Sequence, residues 1–368
     1  MPGCDGFPII EPNPVTLEEV LSARDRRVLR QHEMLKQAGC PLISVTLNMP
    51  GPVKRTPLSH YFFERELRNL NSLLKSLGAT IVLEEKTSAV TGDEALIAID
   101  GFAPSKIKSL AVALEKRAEA SRLLDLDVLC EDGTAVNRES LGLTARRCLL
   151  CAKPAFFCAA SRMHSGDALE EKVRLLLDHY ARKNLTDAHA AMALEASSFE
   201  LMVSPKPGLV TFCSAGSHDD MDRFTFVKSQ SVLAGYYRAS FQMGWTPSFP
   251  PTERAMRFRH EGMLAEQAMV ESTNGVNTHR GWIYLSGILL AAMGEYWRET
   301  LSADEAIPTR EQSGKLSEPA DKPSKLSRYA AGMARELEES LHSVYHFSSL
   351  NQRLNGGSLL SGIREEAS

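Results

Sequence analysis

The stretch LLDLDVLC (123–130) alternates strictly between apolar and acidic residues in its middle. Such alternation predicts a β-strand with one apolar face and one polar face. Three further short runs predict strands: PLISVTL (41–47), TIVLEE (80–85) and ALIAID (95–100). Helical periodicity covers the stretches 16–37, 57–77 and 105–120, with Thr16 as the N-cap of the first. Residues 1–165 are therefore predicted to form an α/β or α+β domain.

After residue 165 the pattern changes to helical periodicity, and strand signals nearly disappear. Asp167 and Glu170 approximate a capping box at the start of this region. Helices are predicted over about 167–182, 188–202, 223–243, 252–273, 281–299 and 325–345. Residues 166–368 are therefore predicted to be an all-α domain, interrupted by a polar loop at about 301–326 that is rich in Pro and Ser.

The overall composition is that of a globular protein with two or three domains: 368 residues, 43% hydrophobic, 24% charged. A net charge of −4 argues against a nucleic-acid partner. We expect no membrane partner, because no apolar run approaches the roughly 18–20 residues of a membrane span. The start MPGCDGFPII lacks the features of a signal peptide, and seven cysteines suggest thiols or metal ligands rather than disulfides. These features predict a cytoplasmic protein.

Two carboxylates fall on one face of the predicted strand 123–130. Side chains two residues apart in a strand lie on the same face, about 6.5–7 Å from each other, so Asp125 and Asp127 are neighbours. Mg²⁺ prefers a few carboxylates together with water and substrate phosphates, and nucleotidyltransfer enzymes hold their metals in this way. The pair is therefore a candidate magnesium and catalytic site. The alternative is a half-exposed strand with two solvated aspartates.

A cluster of potential metal ligands follows this strand. Cys148, Cys151, Cys158 and His164 form a C-x₂-C-x₆-C-x₅-H pattern. The C-x₂-C pair has the spacing of a zinc knuckle, and two more ligands complete a tetrahedral, structural Zn²⁺ site. The alternative is that these cysteines are small apolar side chains packed under the domain.

The loop NMPGPVK (48–54) allows two interpretations. Gly51 would let backbone approach a ligand closely, and Lys54 could bind phosphate. Two prolines and a glycine also make a stiff turn without any ligand.

Three motifs in the helical region concentrate small, amide and charged residues: SPKPGLV (204–210), GSHDDMD (216–222) and NTHRG (277–281). Such residues suit loops or helix ends that contact a ligand. The candidates for phosphate binding are Lys206, Gly208, Ser217, Asn277 and Arg280. Asp220 and Asp222 could hold Mg²⁺, and His218 or His279 could transfer a proton. Taken singly, each motif could equally be a helix cap or a solvated turn.

Four segments of the first region resemble the apo-citrate lyase phosphoribosyl-dephospho-CoA transferase family over about residues 15–165: PLISVTLNMPGPVK (41–54), SRLLDLDV (121–128), DGTAVNRESLG (132–142) and RRCLLC (146–151). The resemblance implies a nucleotidyltransferase-like α/β domain. Its reaction would transfer a phosphoribosyl-dephospho-CoA group to a serine of the citrate lyase acyl carrier (gamma) subunit and release pyrophosphate. Asp125 and Asp127 would hold Mg²⁺. Phosphates would be bound by Arg122, Arg138, Arg146 and Arg147.

The three later motifs, in their order, resemble the 2-(5''-triphosphoribosyl)-3'-dephospho-CoA synthase family. This resemblance implies that the 2′-hydroxyl of 3′-dephospho-CoA attacks the ribose C1′ of ATP and displaces adenine. GIREEA (362–367) resembles a later family motif, which adds Arg364 as a candidate. We therefore expect a fusion of two enzymes in which the product of the second domain is the substrate of the first.

The helical region also departs from its family. HSVYHFSS (342–349) resembles a Thr-His-Gly motif only in degraded form, and the family continues with further helices where this sequence stops at Ser368. We therefore expect a truncated synthase domain. One alternative is that only the transferase is active and the helical domain is a binding or docking module. Another is a zinc-stabilised scaffold without turnover.

Overall fold

The structure is a computed structural model that describes residues 8, 10–246, 250–302 and 327–335. Two compact units divide between Ala181 and Arg182. The elements before the division are α1 (Leu17–Ala38), β1 (Leu42–Leu47), α2 (Pro57–Ser76), β2 (Thr80–Ala89), β3 (Gly92–Asp100), α3 (Pro104–Glu115), β4 (Leu124–Leu129) and α4 (Ala155–Ala160). The later helices are α5 (Gly166–Met202), α6 (Arg223–Val232), α7 (Ala234–Trp245), α8 (Pro251–Ser272) and α9 (Arg280–Leu301).

The first unit is built on a four-stranded sheet of order β2-β3-β1-β4. All three strand pairings are antiparallel, so of the two classes left open by the sequence the unit is α+β. Strand β4 lies at an edge and pairs with β1, with Ser44 opposite Asp127 and Thr46 opposite Asp125. Its last residue, Leu129, also forms a single bridge with Ala135. The predicted order of a mixed N-terminal domain followed by a helical domain is confirmed.

The two faces of the sheet have different coverings. On one face α1 packs through Met34 and Leu35 against Leu42 of β1 and Leu96 of β3. The register places Asp125 and Asp127 on this same face, because they pair with residues that alternate in phase with Leu42. Val45 and Leu126 lie on the opposite face and are almost fully buried. The predicted division of β4 into an acidic face and an apolar face is therefore correct.

Helix α1 begins where the sequence predicts. The hydroxyl of Thr16 accepts a hydrogen bond from the Glu19 amide at 3.2 Å, and the Glu19 carboxylate accepts one from the Thr16 amide at 2.7 Å. This capping box satisfies two amides that the first helical turn leaves without partners. Near the middle of α1, Arg27 and Arg30 form ion pairs with Glu94 of β3. These ion pairs hold the middle of α1 against the sheet.

Helix α5 is a single helix of 37 residues, so the prediction of separate helices at 167–182 and 188–202 is wrong. The helix continues through the predicted gap because Leu185 and Thr186 are buried there. Its first half packs in the first unit, where the Tyr180 ring meets Phe62 edge-on at 4.8 Å and the Tyr180 hydroxyl donates to buried Glu66. The compact units consequently divide inside α5, and the domain boundary at residue 165 remains a prediction.

The second unit has helices and, among its described residues, no strand. The predicted helix 223–243 is divided at Leu233 into α6 and α7. Helices α7 and α9 cross closely, since a side chain at Gly244 would meet the Ala291 carbonyl and one at Gly294 would meet the Phe241 carbonyl. Residues 327–335 are helical, and Met333 packs against Phe258 and Ile288.

Several predictions lie outside the described residues: most of the polar loop 301–326, the end of the helix 325–345, HSVYHFSS (342–349) and Arg364. Within the described part of the chain, no helix is long and apolar enough to cross a membrane.

Candidate active sites

The two aspartates of β4 lie beside a guanidinium group. Nη2 of Arg146 is 3.1 Å from Oδ1 of Asp125. Partial removal from solvent and the negative charge of Asp125 together raise the pKa of Asp127, while the charges of Lys108 and Arg146 oppose this. Two carboxylates that repel each other on one strand face bind a divalent cation favourably, because the cation removes the repulsion.

A cavity of about 860 Å³ lies in the first unit. Neither Asp125 nor Asp127 lines it, but Arg146 of its wall reaches Asp125. The four predicted phosphate-binding arginines all line it: Arg122, Arg138, Arg146 and Arg147. Lys116 adds a fifth cation to the wall, and Asn48 and Pro50 contribute the edge of the loop 48–54. The volume is within the range of small-molecule sites, and the concentration of guanidinium groups suits a polyphosphate.

One acidic residue in this wall was not anticipated from the sequence. Glu115, the last residue of α3, is buried, and its carboxylate pairs with Arg138 and with Arg146, the latter at 2.5 Å. The same carboxylate accepts a hydrogen bond from the Leu126 amide at 3.3 Å. No local pattern distinguishes Glu115 from an ordinary charged residue at a helix end.

The predicted Cys/His cluster is assembled in the structure. One ligand atom from each of Cys148, Cys151, Cys158 and His164 lies within 4.8 Å of all the others. Sγ of Cys151 is 3.5 Å from Sγ of Cys158 and 3.4 Å from Nε2 of His164. Tetrahedral zinc, with Zn–S of about 2.3 Å and Zn–N of about 2.0–2.1 Å, requires ligand atoms roughly 3.5–3.8 Å apart. The residues therefore form a candidate metal site that is compatible with zinc, and no other such group of three or more ligands occurs among the described residues.

The metal cluster and the cavity share a stretch of chain. Cys148, Cys158 and His164 also line the cavity. Arg122 donates hydrogen bonds to the carbonyl oxygens of Arg147 at 2.9 Å and Cys148 at 2.7 Å. The conformation of the cluster thus determines where part of the cavity wall lies.

The loop 48–54 is closed by its own contacts. Lys54 donates to the carbonyl of Met49 at 2.7 Å, and burial lowers the pKa of its ammonium group. Gly51 has a φ of 73°, and a side chain there would lie 2.2 Å from a carboxylate oxygen of Glu170. The positive φ of the turn therefore favours glycine, whereas the Glu170 carboxylate, at the end of a flexible side chain, can move aside.

The first two motifs of the second unit pack on each other. The Ser217 amide donates to the Gly208 carbonyl at 3.1 Å, and Gly216 lies so close to Leu209 that a side chain would meet its carbonyl oxygen. The Lys206 ammonium group is held at the end of α5, 2.6 Å from the Glu200 carboxylate. Two residues predicted to bind phosphate, Gly208 and Ser217, are thus in direct contact. The third, Lys206, is two residues before Gly208 and is held in an ion pair.

The acidic pair of the second motif is divided between two roles. Asp222 is the N-cap of α6 and accepts hydrogen bonds from the amides of Thr225 and Phe224, which lower the pKa of its carboxyl. Asp220 is exposed, with an oxygen 3.9 Å from Nδ1 of His218. The Asp222 carboxylate therefore forms the cap of α6, whereas the Asp220 carboxylate lies outside that cap.

The third motif begins α9. The Asn277 side chain accepts from the Arg280 amide at 3.2 Å, and the Arg280 guanidinium lies 2.5 Å from Glu266 of α8. His279 is buried, with Nδ1 2.7 Å from the Ser229 hydroxyl of α6. Burial lowers the pKa of His279 to about 4, so its imidazole is neutral at pH 7. Helix α6 thus links the second motif, at its N-cap, to the third motif.

Comparison with known proteins assigns these two regions to two families. Residues 15–180 match the family described as apo-citrate lyase phosphoribosyl-dephospho-CoA transferase, and residues 186–347 match ATP:dephospho-CoA triphosphoribosyl transferase. Both matches agree with the resemblances drawn from the motifs, and they follow each other in the predicted order.

Individual relatives match either most of the chain or its first half. Protein CitXG of Haemophilus influenzae is 33% identical over 298 residues, covering 81% of this chain and 63% of the relative. Protein CitXG of Leuconostoc mesenteroides is 31% identical over 291 residues, covering 76% and 61%. The chain thus spans less than two thirds of the length of either protein. A probable apo-citrate lyase phosphoribosyl-dephospho-CoA transferase of Vibrio cholerae is 35% identical over 167 residues, which cover 94% of its length. The chain therefore belongs to the apo-citrate lyase phosphoribosyl-dephospho-CoA transferase family and continues into a region that matches ATP:dephospho-CoA triphosphoribosyl transferase.

Proposed function

We propose that this chain performs two consecutive reactions in the assembly of the citrate lyase prosthetic group. The helical region joins ATP and 3′-dephospho-CoA to triphosphoribosyl-dephospho-CoA and releases adenine. The N-terminal region then transfers the phosphoribosyl-dephospho-CoA group to a serine of the citrate lyase acyl carrier (gamma) subunit and releases pyrophosphate. The observation that carries the proposal is the cavity lined by four arginines, one of which, Arg146, reaches Asp125, in a chain that matches both families in order.

In the transfer step the serine oxygen forms a bond to the α-phosphorus of the triphosphate, and the bond from that phosphorus to pyrophosphate breaks. Asp125 and Asp127 are the residues that would hold Mg²⁺, which neutralises charge on the phosphates when bound. Arg122, Arg138 and Arg147 line the cavity and would bind the phosphate oxygens. Their guanidinium groups stabilise the negative charge that pyrophosphate carries away.

In the first reaction a bond forms between the 2′-oxygen of dephospho-CoA and C1′ of the ATP ribose, and the bond to adenine breaks. Neutral His279 could accept the hydroxyl proton, and partly exposed His218 is the alternative. Lys206 and Arg280 would bind the triphosphate after exchanging Glu200 and Glu266 for phosphate oxygens. Gly208, Ser217 and Asn277 would shape the site, and Asp220 and Asp222 would hold Mg²⁺.

For the Cys/His cluster the proposed ion is Zn²⁺. Four protein ligands leave no open position, so the role is structural. The Leu150 amide, 3.5 Å from Sγ of Cys148, supports the thiolate form that zinc requires. Reduced thiols persist in the cytoplasm, which is the location we assign to the chain. Elemental analysis of the purified protein should find one zinc per chain, and a metal-free protein with full stability would contradict the assignment.

Two assays on the purified chain test the enzymatic proposal. Incubation with ATP, 3′-dephospho-CoA and Mg²⁺ should release adenine, detected by chromatography. Incubation of apo acyl carrier subunit with ready-made triphosphoribosyl-dephospho-CoA should add the mass of the phosphoribosyl-dephospho-CoA group. Labelling without adenine formation would favour the alternative, in which the helical region only binds or docks. Failure of both assays would contradict the proposed function.

A further inference from the structure

We propose that Glu115 is a positioning residue that fixes two arginines of the cavity, Arg138 and Arg146, and also the strand that carries Asp125 and Asp127. Its side chain is only 4% exposed. A carboxylate at the C-terminus of a helix faces the negative end of the helix dipole, and burial adds a desolvation cost. Glu115 therefore depends on the partners that surround it, and those partners belong to the site.

Two of these partners are guanidinium groups of the cavity wall. Arg138 and Arg146 are 18% and 30% exposed, and both donate to the Glu115 carboxylate. A free arginine side chain samples many rotamers. A buried carboxylate that accepts hydrogen bonds from the guanidinium group restricts the side chain to one of them. Arg146 also reaches Asp125, so the Glu115 carboxylate orients a guanidinium group that contacts one of the two candidate magnesium ligands.

The third partner is the backbone of β4. Leu126 lies between the two aspartates on an edge strand, where the outward-facing amide and carbonyl have no neighbouring strand. Glu115 accepts from the Leu126 amide, and Lys108 of α3 donates to the Leu126 carbonyl at 2.7 Å. Two side chains of α3 thereby hold the segment that carries Asp125 and Asp127, and one of them is Glu115.

This inference rests on the proposed function, because it assumes that the cavity binds polyphosphate. It makes a prediction opposite to that of simple electrostatics. A negative charge in the cavity wall repels phosphate, so its removal should strengthen binding if Glu115 acted only through its charge. If Glu115 acts by positioning, its removal should weaken binding, because Arg138 and Arg146 lose their common anchor.

The test measures binding of inorganic tripolyphosphate by calorimetry. Glu115→Gln should weaken binding about tenfold, the equivalent of one hydrogen-bonded charge. The matched control is Glu119→Gln, which removes the same charge from the same cavity at a side chain that is 64% exposed and paired with Lys172. This control should bind tripolyphosphate as tightly as the wild type or more tightly. Glu115→Asp, which keeps the charge with a shorter reach, should lie between wild type and Glu115→Gln.

Kinetics separate positioning from a general loss of structure. In the transfer assay Glu115→Gln should raise KM for the triphosphoribosyl precursor, whereas partial unfolding would lower kcat alone. If Glu115→Gln does not fold, as judged by circular dichroism, the comparison of Glu115→Asp with Glu119→Gln decides in the same way. Binding by the Glu115 variants that equals or exceeds the wild type would overturn the inference, as would a wild type that binds no tripolyphosphate. A wild type that binds tripolyphosphate but labels no carrier would contradict only the proposed function.

Discussion

The first compact unit brings its predicted phosphate-binding arginines to one cavity, whereas the second unit holds its predicted cations in ion pairs with its own helices. Arg122, Arg138 and Arg147 line the same wall, and Arg146 links that wall to Asp125. In the second unit Lys206 pairs with Glu200. Arg138 and Arg146 of the first unit are also paired, with Glu115, but this pairing leaves them in the wall of one cavity, whereas Lys206 and Arg280 are held by two separate glutamates.

The difference follows from where the residues lie along the chain. In a strand the neighbouring strand satisfies the backbone hydrogen bonds, so the side chains are not needed for this purpose. Asp125 and Asp127 can therefore face a ligand. Polar residues at helix ends have a second use, because the first amides of a helix need acceptors. Asp222 and Asn277 serve this use at the starts of α6 and α9. Motifs at helix ends therefore carry a weaker indication of ligand contact than a pair of acids on a strand.

The difference between the two units is tested most strongly by removing a carboxylate from β4, because this change should have the largest effect on transfer. Asp125→Asn should lower transfer from the ready-made precursor about 100-fold or more, because metal charge stabilisation contributes several kcal/mol. Adenine formation by the second unit should be unchanged. The measurement is the initial rate of carrier labelling by intact mass.

The control is Asp132→Asn. Asp132 is exposed, follows β4 in the chain, and accepts a hydrogen bond from the Thr134 amide through its carboxylate. The control variant should keep full transfer. Wild-type transfer by Asp125→Asn would show that β4 does not carry the metal site.

A second variant tests whether Arg280 leaves its ion pair with Glu266 to bind phosphate. Arg280→Ala should raise KM for ATP in adenine formation about tenfold, the expected loss from one charged hydrogen bond. Arg238→Ala removes another exposed arginine of the same unit, which pairs with Asp187, and should leave KM unchanged. Equal effects of the two variants would mean that Arg280 has no special contact with ATP.

The metal cluster can be tested through stability. Cys151→Ser should lower the midpoint of thermal unfolding by about 4 °C or more, because structural zinc contributes folding free energy. Zinc content should fall in parallel. Cys213→Ser, which changes an exposed thiol outside the cluster, should alter neither quantity. An unchanged midpoint and zinc content in Cys151→Ser would remove the zinc assignment.

The last prediction concerns the pH dependence of stability that His279 produces. Its folded pKa of about 4 lies below the ordinary value of 6.5, so between these values the unfolded chain binds a proton that the folded chain does not. The free energy of unfolding should therefore fall as the pH falls, by roughly 2 kcal/mol between pH 7 and pH 5. Denaturant titrations at both pH values should show a smaller loss in His279→Gln than in wild type. His260→Gln, at an exposed position of α8, is the matched control.

Local rules predicted most of the elements of the first unit. The cap at Thr16 and the alternation of 123–130 depend on neighbours in sequence, and both agree with the structure. The break predicted between 182 and 188 was wrong because tertiary burial of Leu185 and Thr186 overrides the weak local pattern.

The candidate sites were less predictable than the fold. The spacing of Cys148, Cys151, Cys158 and His164 was a sufficient signal, since ligands close in sequence can meet without distant chain segments. No sequence pattern indicated Glu115, because Arg138 and Arg146 follow it by 23 and 31 residues, beyond strand β4 and the loop after it. Its role depends on a chain path that no local pattern specifies.

The most direct test of the two-reaction account follows adenine and pyrophosphate in one sample of the wild-type chain with ATP, 3′-dephospho-CoA and Mg²⁺. Adenine should form whether or not apo carrier subunit is present. Pyrophosphate should appear only when the carrier is added, in an amount equal to the carrier that gains the prosthetic group. Pyrophosphate release that does not require the carrier, or carrier labelling without adenine release, would contradict the account.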